Sequence, residues 1–265
     1  RDKNKNLILT ENYKFKDSSP NTTVSLIDYN LDGKLDLFVG NWFKKVNGHP
    51  RPVADQLYLN QGKKFKNVSH LLLAESKQTV SKTMLVNASP TYGSQTCDMD
   101  QNGFPDIITT ATNKFKNNLW MNRYKFREKY RYFENFGVVS GVAGDPEGVL
   151  NTQGSGRTFS VACADYNNDT IMDVFLGELS HNYDAEGIDK SSLLTGRSLK
   201  FPPRFYRTEY FLDHFETNWH QADRRAIWLD YNNDGLLDLI VDNSGYPPHT
   251  RLILFEQLAD HSFVN

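Results

Sequence analysis

The stretch LDYNNDGLLDLIVDN, Leu229–Asn243, decides how this chain is read. It sets Asp230, Asn232, Asp234 and Asp238 within nine positions and then enters the apolar run Leu239–Val241. Three carboxylates so close together repel one another unless something neutralises them. Three further segments align with it: SLIDYNLDGKLDLFVGN from Ser25, QTCDMDQNGFPDIITTA from Gln95 and ACADYNNDTIMDVFLGE from Ala162. Their first aspartates are Asp28, Asp98, Asp165 and Asp230, so the interval is 65 to 70 residues. A recurrence of that size marks one supersecondary unit per repeat.

A second element recurs between the acidic loops. It reads QLYLNQGKKFKNVSH from Gln56, NLWMNRYKFREKYRYFENFG from Asn118, RFYRTEYFLDHFETN from Arg204 and RLILFEQLADHSFVN from Arg251. Each is a short apolar and aromatic run, a polar turn and a second short run, which is the signature of a hairpin. Each repeat therefore supplies four strands, rich in residues that suit pleated, half-buried surfaces. Helical periodicity is absent, apart from a short turn expected near HLLLAESKQTV at His70. The fold expected is all-β: a β-propeller of four-stranded blades with one cation loop per blade. Strand count alone also allows a sandwich or a stacked solenoid, although the repeat is long for a solenoid coil. Residues 1–265 read as one propeller region, with loops at 28–36, 98–106, 165–173 and 230–238. NLILTENYKFKDSS from Asn6 looks like a fifth hairpin, so the chain starts and stops in the same phase. An arc of a larger propeller is the expectation; a four-blade ring with a surplus strand pair is the alternative.

Each loop places oxygen donors at positions 1, 3, 5 and 9, and at position 7 a residue of varied chemistry that suits donation of a backbone carbonyl. The first loop offers Asp28, Asn30, Asp32, Lys34 and Asp36; the second, Asp98, Asp100, Asn102, Phe104 and Asp106. The third offers Asp165, Asn167, Asp169, Ile171 and Asp173; the fourth, Asp230, Asn232, Asp234, Leu236 and Asp238. All donors are oxygens, which suits a hard cation, and Ca²⁺ accepts six to eight such ligands in flexible geometry. About four Ca²⁺, one per loop, are expected. An EF-hand is excluded, because it needs a glutamate at position 12 and a helix after it; here position 12 is Val39, Thr109, Leu176 or Val241. Position 6 is Gly33, Gly103 and Gly235 in three loops but Thr170 in the third, where a strained and weaker site is expected.

With these residues in view, the chain resembles the FG-GAP/VCBS repeats found in the propeller of integrin α-subunits. In style it is nearest to the cartilage acidic protein type and its bacterial relatives. LDLFVGNW followed by QLYLNQGKKFKNVSH, and GSGRTFSVACADYNND, carry the resemblance. It implies a roughly seven-blade propeller with one Ca²⁺ per loop in an extracellular, cell-surface or periplasmic protein. It further implies adhesion or binding, with no catalytic residues. Ligands of such proteins often bind opposite the calcium loops, where the candidates are Trp42, His49, Arg51, His181, Tyr183, Tyr246 and His249. A protein or glycan partner is expected, with a structural subunit of a larger surface assembly as the alternative. An enzyme with a site at the central channel is the third possibility. His214 and His220, with Asp213 and Glu216, form the densest histidine and acid cluster, but GxSxG and HExxH are absent.

Composition agrees. A net charge of −2 argues against broad nucleic-acid binding, and no apolar run is long enough to span a bilayer. Sequons at Asn21, Asn67 and Asn87 are candidates for glycosylation. Cys97 and Cys163 are too few for a disulfide scaffold and read as two buried free thiols; a bridge would require their Cα atoms within about 7 Å.

Overall fold

In a β-strand successive side chains point to opposite faces. When both faces are covered, the strand reads as a continuous apolar run, and this chain contains several. Ile107 packs with Phe38 and Leu57 on one side of its sheet. Its neighbour Ile108 packs with Val174 and Leu176 on the other. The computed structural model describes residues 19–73, 88–112, 115–144, 157–179, 191–209, 223–243 and 251–264. It forms a β-propeller of four antiparallel blades.

Blade 1 holds β1 (Asn21–Ile27), β2 (Asp36–Asn41), β5 (Gln56–Asn60) and β6 (Phe65–Asn67). A separate small hairpin, β3 (Phe43–Val46) with β4 (His49–Pro52), projects from the connection between β2 and β5. Blade 2 holds β8 (Thr91–Cys97), β9 (Asp106–Ala111), β10 (Asn118–Lys125) and β11 (Tyr130–Asn135). Its outer strand also pairs in parallel with β7 (Leu72–Leu73), so the chain leaving blade 1 lends blade 2 a fifth strand. Blade 3 holds β12 (Thr158–Ala164), β13 (Asp173–Glu178), β14 (Ser192–Gly196) and β15 (Phe205–Glu209). Blade 4 holds β16 (Asp223–Leu229), β17 (Asp238–Asn243), β18 (Arg251–Gln257) and β19 (Phe263–Val264). The turn expected near His70 is a single 3₁₀ turn, Ser69–Leu71, and a one-turn helix follows blade 2 at Gly137–Ser140. The hairpin expected at Asn6 and the cluster around His214 and His220 lie outside the described residues.

The first strand of each blade is the innermost: β1 packs on β8, β8 on β12 and β12 on β16. Three apolar clusters fill the three interfaces between neighbouring blades. Trp120, Phe38, Phe175 and Phe255 are fully enclosed in them, and burial of such a side chain contributes roughly 1.5–3 kcal/mol. The residue at loop position 2 tracks this stacking. Tyr29, Met99 and Tyr166 are only 6%, 2% and 8% exposed because a following blade covers them, whereas Tyr231 of blade 4 is 44% exposed.

Each interface also carries a polar latch at one repeat position, the fifth residue before the one that pairs with position 9. In blade 1, Asp55 accepts the amide of Asn41 at 2.9 Å and the hydroxyl of Thr91, from blade 2, at 2.7 Å. In blade 2, Asn117 accepts the amide of Ala111 at 2.8 Å and donates to the hydroxyl of Thr158, from blade 3, at 2.9 Å. In blade 3, Ser191 accepts the amide of Glu178 at 3.0 Å and donates to Asp223 of blade 4. The same position in blade 4 is Leu252, which is 72% exposed. Gly177 lets two inner strands close on each other: a Cβ there would collide with Ser160 Oγ and with the backbone of Asp223.

The reading of Cys97 and Cys163 as free thiols is corrected. Both lie at the ends of neighbouring inner strands, their Cα atoms 6.7 Å apart, and they are joined as a disulfide between blades 2 and 3. Cys97 directly precedes its loop and faces the following blade. Cys163 stands two residues before its own loop, so strand alternation turns it toward the preceding blade. That facing pair exists only once blades stack.

Candidate metal centres and the opposite face

The four acidic loops share one backbone path. The carboxylate at position 1 accepts the amides of positions 5 and 6: Asp28 from Asp32 and Gly33 at 3.0 and 2.8 Å, and Asp98 from Asn102 and Gly103 at 3.0 and 2.8 Å. Asp165 accepts from Asp169 and Thr170 at 3.0 and 2.8 Å, and Asp230 from Asp234 and Gly235 at 3.1 and 3.0 Å. The position-5 side chain then accepts the amide of position 7. Two residues per loop occupy the left-handed region. Position 6 does so in Gly33, Gly103, Gly235 and also Thr170, whose φ of 69° is a conformation a β-branched residue rarely holds. Position 4 does so in Leu31, Gln101, Asn168 and Asn233, which the sequence did not flag.

Position 9 ties each loop to the blade. Asp106 accepts the amides of Met99 at 2.8 Å and Asn122 at 2.7 Å, bridging the loop and β10. Asp36, Asp173 and Asp238 do the same, through Tyr29 and Asn60, Tyr166 and Gly196, and Tyr231 and Gln257. All four are fully buried. Burial, partly offset by those amides, pushes the Asp36 carboxyl up to about 6, Asp173 to about 7 and Asp106 to about 8. Asp100 is also raised, first by burial and then by the charge of Asp98.

The donor set of the second loop suits a divalent cation, and among the described residues it is the one loop whose three carboxylates converge this closely. Carboxylate oxygens of Asp98, Asp100 and Asp106 lie within 4.8 Å of one another, and Asp100 Oδ1 is buried with no hydrogen-bond partner. In loops three and four the position-3 amide group instead donates to position 5, Asn167 to Asp169 at 3.1 Å and Asn232 to Asp234 at 2.9 Å. In the first loop Lys34 pairs with Asp32 at 3.1 Å through its exposed side chain.

The far end of the blades holds a second constellation. Every inner strand has a β-bulge at the same place, six residues before loop position 1, at Thr22, Tyr92, Phe159 and Arg224. Bulges re-aim side chains, and here they build a row across the blades. Trp42 meets Tyr92 edge-on with centroids 5.6 Å apart, Tyr92 meets Phe159 at 3.9 Å, and the guanidinium of Arg224 lies 6.0 Å from the Phe159 ring centre. Trp42 also contacts Phe43 at 5.3 Å, and Phe43 contacts Phe115 at 6.2 Å. The rings are half-buried. Of the candidates for this face, Trp42 belongs to the row, and His49 and Arg51 are exposed on the projecting hairpin. His181, Tyr183, Tyr246 and His249 lie outside the described residues. Tyr92, Phe159 and Arg224 escaped the sequence reading; their constant offset from the loop aspartate is the signal that could have found them.

Asn67 is exposed on β6, with its Oδ1 accepting the Ser69 amide at 3.0 Å. Asn21 opens β1, and its Nδ2 donates to Asn41 at 2.6 Å. Asn87 lies outside the described residues. No known family profile matches the chain, and no curated protein matches it.

Proposed function

We propose that this chain is a calcium-stabilised propeller of the FG-GAP/VCBS kind that binds a protein or glycan and performs no catalysis. The observation that carries the reading is the fourfold loop: one backbone path, with oxygen donors at positions 1, 3, 5 and 9. Calcium would be held by Asp98, Asp100, Asn102, Asp106 and the Phe104 carbonyl in the second loop, and by the matching residues in the others. It supplies positive charge where three carboxylates converge, and its binding adds to the stability of the fold. Each loop is followed by a core strand rather than a cleft, which supports a structural metal. An extracellular, cell-surface or periplasmic setting follows from that reading, and the disulfide between blades 2 and 3 supports it.

The chain is further read as an arc of a larger propeller, roughly seven-bladed. Exposure of Tyr231 at a position that the next blade covers in the other three repeats supports this. The test is calorimetric titration of chelator-treated protein with Ca²⁺, alongside thermal melts. About four bound ions and a melting temperature raised by Ca²⁺ are expected. Identical melts in EDTA and in Ca²⁺ would overturn the reading.

A further inference from the structure

We infer that the bulge row is a binding surface for an acidic polysaccharide. The inference rests on the reading of the chain as a binding module and specifies its ligand.

Four bulges at one repeat position are costly to keep without a purpose, because each interrupts the ladder between the two innermost strands of its blade. Three of them bring Tyr92, Phe159 and Arg224 into a row across blades 2 to 4, and Trp42, from the connection after β2, extends it to blade 1. Gly93 makes the row possible, since a Cβ there would sit 2.6 Å from the Phe159 carbonyl. Partly exposed rings offer apolar faces and rims to the C–H faces of sugar rings.

Charge supplies the second half of the argument. Among the described residues at this end of the blades, the exposed charged side chains are Lys44, Lys45, Arg51, Lys116, Arg224 and Arg225. Of the carboxylates at the same end, Asp55, Glu178 and Asp223 are buried and held by Thr91, Thr158 and Ser191, while Asp242, opposite Arg225, and Glu209 are half-buried. The acidic loops lie at the opposite end. Among the described residues, that end thus presents a mainly cationic, aromatic face, in a chain of net charge −2. A neutral glycan would use the rings and leave the cations idle. The neighbouring rings of the row meet at 76° and 51°, so they do not form a parallel-walled slot, and an oligonucleotide competitor distinguishes base stacking from sugar binding. A sulfated or uronate polysaccharide engages both features.

The test uses the whole chain saturated with Ca²⁺, a sulfated hexasaccharide as probe and a neutral hexasaccharide as control. The sulfated probe should bind and the neutral one should not. Tyr92→Ser and Phe159→Ser, which leave the charge unchanged, should each weaken binding about tenfold. Arg224→Gln should weaken it less and reduce its dependence on salt. Retained binding in both aromatic variants, equal binding of the neutral probe, or equal competition by a single-stranded oligonucleotide would each overturn the inference. Absence of binding while Ca²⁺ still raises the melting temperature overturns the ligand alone. Loss of the Ca²⁺ effect on melting instead strikes the metal reading.

Discussion

At the loop end, position 9 is aspartate in all four repeats, and each of these carboxylates accepts one amide from its own loop and one from the third strand of its blade. At the far end, the bulged residue is threonine, tyrosine, phenylalanine and arginine in turn, on a backbone that repeats just as faithfully. The two ends show two ways to keep a repeat. Where the side chain completes the backbone's hydrogen bonding, its identity is fixed. Where the backbone alone makes the irregularity, the side chain is free to vary and can carry recognition.

The contrast can be broken most forcefully at Asp106. Asp106→Ala leaves two buried amides without an acceptor and should cost roughly 2–5 kcal/mol in urea unfolding. A loss below 1 kcal/mol would mean that position 9 serves only the cation. Next in size, Gly177→Ala forces apart the inner strands of blades 3 and 4 and should cost about 1–3 kcal/mol. An unchanged unfolding midpoint would show that these strands are not in close contact.

Asp55→Asn sharpens the comparison from within the latches. Burial pushes the Asp55 carboxyl up to about 8. Its folded value therefore lies above its unfolded value. The stability it contributes is full below about pH 4 and is lost as the pH rises through about 8. Ca²⁺-saturated protein should thus melt lower at pH 8 than at pH 6. Asp55→Asn should flatten that slope, because Asn117 makes the same two contacts in blade 2 without a charge. A slope identical in variant and parent would acquit Asp55. The smallest effect is expected at Thr170→Gly, which removes a positive-φ threonine and should stabilise the protein by about 1 kcal/mol. Gly235→Thr should destabilise loop four by a similar amount, and any asymmetry between the two would measure how far the third loop has adapted.

The loops were legible because their chemistry is local. Asp28 and Gly33 contact each other five residues apart, so spacing alone records the turn. The four-strand order of each blade was legible for the same reason, since antiparallel neighbours follow one another in the chain. The disulfide was not, because Cys97 and Cys163 are 66 residues apart and meet only through the stacking of whole blades. The bulge row escaped for a related reason. Tyr92 and Phe159 look like ordinary strand aromatics until a register shift turns them out of the ladder. Trp42 was singled out by its place in a connection, but the rings it contacts were not.

The latches give this propeller a means of telling its own blades apart. Near-identical repeats are prone to pair with the wrong neighbour during folding. Here one junction joins a carboxylate to a threonine, the next an amide to a threonine, and the third a serine to a carboxylate. Exchanging blades 2 and 4 would set Asp55 against Asp223, replacing a carboxylate–hydroxyl pair with two buried carboxyl groups. The order of the blades is thus written in donors and acceptors as well as along the chain, and at Leu252 the fourth blade carries no such letter.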